Sequence, residues 1–369
     1  MDDWDAEAEP LEDHDVIHRT APDPDAIRRF AGILGEARSP AVVTGAGVER
    51  SGAFHDAVML AEKLAAPVWQ DPISALASFP QDHPLFQGHL PPAQKQLAER
   101  LSGHDVVLVL GAPVFLYYPY MPGPTVEGQT QVLHVSEDPE EVARAAVGTG
   151  LVGDVGLAIR GLMELLPGVD RQPPPAQEPP PKPEADTPMS VEYVMHSIAS
   201  VLPEDAVVFD ETASSKAKLH TYIRFDRPGG YHTSAAGGLG FCMPGSVGFK
   251  LAVPDRPVVC TRGDGSSMYS VQGLWSAARY GADVAFIIIN NRGYSILKGF
   301  RDAIGAGDRV PGLDVEGIDF VGVARGLGVD GELVEEDGDL LPAVKRALKV
   351  GRPYLLEVVV DPEVPKLLS

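Results

Sequence analysis

Two apolar runs in this chain end in oxygen-bearing side chains 27 positions apart. Pro257-Val258-Val259-Cys260 leads into Gly263-Asp264-Gly265-Ser266, and Phe286-Ile287-Ile288-Ile289 leads into Asn290-Asn291. That interval is the length of one strand–helix–strand unit. Consecutive parallel strands of such a unit end at the same edge of the sheet, where doubly wound α/β domains bind their ligands. Asp264 and Asn291 are therefore expected side by side at one edge. A carboxylate and a carboxamide are hard oxygen ligands suited to Mg²⁺, which completes its octahedron with phosphates and water. Ser266 and Ser267 read as N-caps. Met268, Val271, Leu274, Trp275 and Ala278 follow at helical spacing. A helix N-terminus there would aim free N–H groups at an anion, so a cation and a helix end together could hold a diphosphate without a lysine. Each half alone has a plainer reading, because Asp-Gly is a common turn pair and Asn-Asn a common strand end. Their pairing at this separation favours a diphosphate–metal site.

The rest of the chain agrees with a class of α/β, with two doubly wound, mainly parallel-sheet Rossmann-like domains joined by a proline-rich linker. Residues 1–24 are acidic and irregular. Residues 25–170 alternate strand and helix signals: strands at Pro40–Thr44, Val106–Leu110 and Gln131–Val135, with a helix at Phe54–Leu64. Continuous Val/Leu runs suit strands covered on both faces. Residues 171–188 carry Pro173-Pro174-Pro175, Pro179-Pro180-Pro181, Pro183 and Pro188, the composition of a semi-rigid extended spacer. Residues 189–369 form the second block, with strands near Ala206–Phe209, Val258–Thr261, Val284–Ile289 and Tyr354–Val359.

At 369 residues there is enough chain for two cores. The net charge of −22 disfavours nucleic acid as a partner and makes a diphosphate a poor ligand unless a cation is recruited. Cys242 and Cys260 form neither a disulfide framework nor a zinc motif and read as buried thiols. The start is acidic rather than basic-then-apolar, and no run reaches the length of a membrane span. A cytoplasmic protein is expected, with no membrane partner. Gly45-Ala46-Gly47 follows a strand and precedes a helix, but it lacks the third glycine and acidic residue of a dinucleotide fingerprint. His232 is expected to be a hydrogen-bonded structural histidine.

At Gly-Asp-Gly…Asn-Asn the chain resembles the thiamine-diphosphate (ThDP) enzymes, and more narrowly the benzoylformate decarboxylases. Residues 58–68, 111–115, 235–249 and 310–320 share the likeness. Such proteins have a pyrimidine-binding, a middle and a diphosphate-binding domain, and the resemblance here covers the last two. It implies ThDP and Mg²⁺ as cofactors. Asp264, Asn291 and the carbonyl of Gly293 are the implied metal ligands. Gly265, Ser266 and Ser214 are the implied diphosphate contacts, Ser214 also serving as a helix N-cap. The family position before Ser214 is often threonine, but here it is Ala213. In Ala236-Gly237-Gly238-Leu239-Gly240, the Gly237 carbonyl is implied to face the aminopyrimidine, and Leu239 to wedge beneath the cofactor.

The resemblance also implies a 2-oxo acid substrate and decarboxylation. A carboligase of the acetolactate synthase type, a truncated non-catalytic homologue acting in assembly, and a nucleotide-binding oxidoreductase remain open. Tyr118 falls where benzoylformate decarboxylases place a proton-transferring histidine, and a phenol is the poorer shuttle at neutral pH. Thr233, Ile296, Leu297 and Phe300 fall at substrate-pocket positions, with packing roles equally open. The glutamate that activates the cofactor belongs to the pyrimidine domain. Met1-Asp2-Asp3-Trp4-Asp5 resembles the end of that domain, so either a separate chain supplies it or the reading frame starts late. The expectation is an oligomer, with itself or with a pyrimidine-binding subunit, and no catalysis by this chain alone.

Overall fold

The structure, a computed structural model, describes residues 16, 18–115, 123–168, 170–235 and 237–365. The first domain runs α1 (Pro24–Glu36), β1 (Pro40–Thr44), α2 (Ala46–Arg50), α3 (Phe54–Leu64), β2 (Val68–Gln70), β3 (Phe86–His89), α4 (Gln94–Arg100), β4 (Val106–Leu110), β5 (Gln131–Ser136), α5 (Pro139–Arg144), β6 (Thr149–Val152) and α6 (Val155–Leu165). Its six strands pair in parallel in the order β3-β2-β1-β4-β5-β6.

The second domain runs α7 (Val191–Ala199), β7 (Val207–Glu211), α8 (Lys216–Tyr222), β8 (Tyr231–His232), α9 (Cys242–Ala252), β9 (Val258–Gly263), α10 (Asp264–Ser267), α11 (Gly273–Tyr280), β10 (Val284–Asn290), α12 (Ser295–Ala303), α13 (Phe320–Gly326), β11 (Asp330–Val334), α14 (Asp337–Ala347) and β12 (Tyr354–Val359). Its strands, also parallel, follow the order β11-β12-β10-β9-β7-β8. The long apolar runs became the central strands. Every residue of β1, β4, β7 and β10 is buried, as expected where helices cover both faces of a parallel sheet. Helix starts follow local chemistry: Asp23 caps α1 ahead of Pro24, Asp154 caps α6, and Ser190 caps α7.

From β7 the chain moves outward to β8, then crosses back over β7 to β9. The order therefore reverses between β7 and β9, the place where doubly wound sheets open a crevice. In the β9–β10 register Ile289 lies opposite Gly263, so Asp264 and Asn291 emerge at the same edge, beside that crevice.

Three expectations are corrected. Ser266 and Ser267 are not N-caps, since Gly263 takes that place and both serines lie inside the short α10. Their hydroxyls turn back onto the Gly263 carbonyl, at 3.0 and 2.7 Å. The single helix expected beyond them is broken into α10 and α11, and Met268 and Trp275 are exposed rather than part of a buried stripe. Ser214 does not cap α8 either; Ser215 is the cap residue, without a side-chain bond.

The two domains touch through residues 75–89 of the first. Leu76 bridges His232, and Thr233 N donates to Ala75 O at 3.0 Å. His89 stacks on His220, with ring centroids 3.9 Å apart. The proline-rich segment is pinned down. Arg171 donates to the carbonyls of Leu34, Gly35 and Leu64 at 2.9, 3.2 and 3.1 Å, and Tyr222 OH to Pro181 O at 3.3 Å. Cys242 and Cys260 are buried free thiols, as expected. Among the described residues no helix is long and apolar enough to cross a membrane.

Candidate functional site

A cavity of about 460 Å³ opens at the β7/β9 reversal. Ser214, Leu239, Asp264, Gly265, Ser266, Asn291, Gly293, Ile296 and Leu297 all line it. Residues from the ends of three strands and from the 237–240 loop thus converge on one space.

The strand pleat separates the two asparagines. Asn290 turns into the sheet and donates to Glu357 Oε1 at 2.8 Å. Asn291 turns to the cavity, donates to Ser295 Oγ at 3.0 Å, and leaves its Oδ1 buried without a hydrogen-bond partner. Asp264 accepts from Gly265 N at 2.6 Å and Gly293 N at 2.9 Å. Burial pushes its carboxyl up to about 6, against the pull of those amides and of Lys298. The chain turns in the left-handed region at Arg292 (φ 59°), and Gly293 follows against Asp264. A Cβ on Gly293 would lie 2.8 Å from Lys298 Nζ and 2.9 Å from Leu313 O, so packing itself demands glycine.

A buried carboxamide oxygen with no donor is an unmet acceptor. With an acceptor-only carboxylate in the same cavity it is a donor set a hard cation satisfies, so the residues fit Mg²⁺. No group of three or more His, Cys, Asp or Glu that could hold a metal occurs among the described residues. A cation here would complete its shell with oxygens other than side-chain carboxylates, from water, carbonyl or ligand.

The remaining candidates divide. Ser214 Oγ accepts from Ile296 N at 2.9 Å, tying the loop after β7 to the start of α12. Ser266 Oγ donates to Glu211 O at 2.8 Å, so its hydroxyl points inward. Leu239 is 36% exposed at the cavity wall. Gly237 (φ 68°) is exposed with open space around it and lies outside the lining. Ile296 and Leu297 line the cavity; Thr233 and Phe300 do not. The Thr233 hydroxyl is turned onto Asp210 O at 2.7 Å. Tyr118 lies outside the described residues. His232 stacks on Phe209 at 4.8 Å, and its Nε2 is buried without a hydrogen-bond partner. Burial lowers it to about 4. The Gly45–Gly47 turn is filled by protein: a Cβ on Gly47 would lie 2.6 Å from Gly111 Cα, and one on Gly45 2.6 Å from Gly111 O. These glycines serve the close approach of the β1 and β4 ends.

Sequence reasoning missed Tyr294, whose ring covers Gly265, and the buried pair Glu211–Arg262 beneath the cavity floor. The signal for Arg262 was present. A charged residue inside an otherwise buried run is rare unless it is paired.

Residues 27–162 match the thiamine pyrophosphate enzyme central domain, and residues 211–358 the C-terminal TPP binding domain of the same enzymes. The chain belongs to the thiamine pyrophosphate enzyme family. It is 38% identical over 362 residues to a benzoylformate decarboxylase of Pseudomonas aeruginosa, covering 97% of this chain and 68% of that protein. Among solved structures it superimposes on the benzoylformate decarboxylase of Polynucleobacter necessarius with a TM-score of 0.95 at 32% identity, over 99% of this chain and 70% of that one. With the thiamine diphosphate-dependent 4-hydroxybenzoylformate decarboxylase of Rhodococcus jostii RHA1 the TM-score is 0.92 at 38% identity, over 99% and 70%. The central and the C-terminal TPP binding domains are therefore both present, and the chain spans about two thirds of these relatives.

Proposed function

We propose that this chain is the middle and diphosphate-binding part of a ThDP- and Mg²⁺-dependent carboxy-lyase acting on a small 2-oxo acid. The observation that carries the reading is the buried, unpartnered Asn291 Oδ1 in the same cavity as Asp264. Family membership and the decarboxylase names of the relatives support it. Asp264, Asn291 and Gly293 would hold the metal. Backbone N–H groups at the start of α10 and the Ser214 side would meet the diphosphate. When bound, the cofactor supplies the electron sink on which a 2-oxo acid can lose carbon dioxide. The chain's own part is to orient that group: Leu239 supports it from the 237–240 loop, while Ile296 and Leu297 form an apolar wall that excludes water.

The activating glutamate would come from a pyrimidine-binding half, supplied in a second chain or in sequence joined to this one. Leu239, Tyr269 and Leu297 leave apolar surface exposed at the cavity, and that half would cover it in a cytoplasmic oligomer.

Calorimetry of the purified chain with ThDP should give weak, Mg²⁺-dependent binding. Carbon dioxide release from benzoylformate and smaller 2-oxo acids should appear only after a pyrimidine-binding domain is added. Turnover by the chain alone would overturn the division of labour. Absence of Mg²⁺-dependent ThDP binding in the completed assembly would overturn the site.

A further inference from the structure

Beneath the cavity floor, Arg262 Nη2 meets Glu211 Oε1 at 3.1 Å, with side chains only 1% and 3% exposed. Replacing such a buried ion pair by apolar residues of similar volume is often neutral or stabilising. Stability alone is thus a poor reason for its presence, and its contacts point elsewhere. The Glu211 carboxylate accepts from Gly240 N and from Cys242 N, the latter at 2.8 Å, holding the end of the loop that carries Leu239. Arg262 donates on the other side to the Ser266 carbonyl and, at 2.6 Å, to Ser270 Oγ, holding α10, which begins at Asp264. The Glu211 carbonyl accepts from Ser266 Oγ at 2.8 Å and closes the ring. One ion pair therefore links the wall beneath the cofactor to the wall that would carry the metal and diphosphate.

We infer that Glu211 and Arg262 are positioning residues: their ion pair is a clasp that sets the separation of the Leu239 loop and α10, and with it the affinity for Mg²⁺–ThDP. The inference rests on the cofactor site proposed above, and the test keeps the two apart. Glu211→Gln, Arg262→Met and the double variant are compared with wild type in the chain assembled with a pyrimidine-binding domain. Amide hydrogen exchange of residues 240–242 and 266–270 is measured without cofactor, beside thermal midpoints and Mg²⁺–ThDP titrations. Exchange in both segments is expected to rise about ten-fold or more in each single variant, and affinity to fall by about ten- to a hundred-fold, the range of lost outer-shell partners.

The double variant, which leaves no unpaired charge, should recover the thermal midpoint without recovering affinity. Recovery of both would reduce the pair to a structural role and overturn the inference, as would unchanged exchange. If exchange rises in the single variants but wild type shows no Mg²⁺-dependent ThDP binding, the clasp stands and the cofactor reading falls.

Discussion

Gly265 has no room for a methyl group, because a Cβ there would lie 2.2 Å from Tyr294 Cε1. Such overpacking of a closed site costs about 1–3 kcal/mol. Gly265→Ala should lower stability by that amount in urea titrations and displace Tyr294 from the cavity wall, weakening ThDP binding as well. Asp264 poses a different question. Its carboxylate is buried at an energetic cost, visible in the rise to about 6, and is kept at the tip of a strand where two backbone amides support it. Asp264→Asn keeps the volume and removes the charge. Mg²⁺-dependent ThDP binding should fall by more than about a hundred-fold, since even outer-shell partners are worth about 10- to 100-fold. An unchanged circular dichroism spectrum beside the lost binding would assign the effect to the site. Equal affinity in the two proteins would remove Asp264 from the metal.

Among the elements, the proline-rich segment carries neither helix nor strand over residues 171–186. Its composition describes a spacer, yet the structure ties it to both domains. Arg171 meets carbonyls at the C-terminal ends of α1 and α3, where helices leave acceptors unmet. A cation there also opposes the negative ends of the two helix dipoles. Arg171→Met should cost about 1–3 kcal/mol, the price of stranding partly buried acceptors. The same variant should be cut faster by proteases within residues 171–188. Identical cleavage rates would mean that the anchor does not hold the segment. The break between α10 and α11 is a second lesson at this scale. Arg262 reaches out of β9 to the Ser266 carbonyl and Ser270 Oγ, on the segment where a continuous helix was expected.

For the whole molecule, the contact between domains should make stability depend on acid. His89, from the end of β3, is lowered to about 3 by burial and then by Lys216 and Arg224. His220, from α8, is held well below its ordinary value by burial, by His89 and by Lys216. Phe225 and Tyr231 pack against the His220 ring, and Phe86 against that of His89. Both histidines bind protons more readily in the unfolded chain, at about 6.5. Their contribution is therefore present above pH 6.5 and is lost as pH falls toward 3, by up to ~1.4 kcal/mol per pH unit for each. Asp71 and Glu49, both pushed up to about 7 mainly by burial, act in the opposite sense between about pH 4 and 7. The clean measurement is thus a difference. Between pH 6.5 and 4.5, wild type should lose stability more steeply than a His89→Leu/His220→Leu variant. Parallel pH profiles for the two proteins would show that the stacked rings carry none of the acid sensitivity.

The primary structure determined the central strands by itself, since Pro40–Thr44, Val106–Leu110 and Val284–Ile289 are dominated by apolar residues that a sheet covered on both faces buries. It also determined that Asp264 and Asn291 share an edge, because a strand–helix–strand unit of that length leaves parallel neighbours no other arrangement. Short strands such as Tyr231–His232 carry too few residues to show a period. Tertiary structure alone decided which asparagine faces the cavity, that Tyr294 covers Gly265, that Thr233 turns away, and that Glu211 finds Arg262 across 51 positions. Periodicity reports which face of an element is apolar. It cannot report which distant polar groups will meet once those faces are buried, because that pairing is set by how the sheet orders its strands.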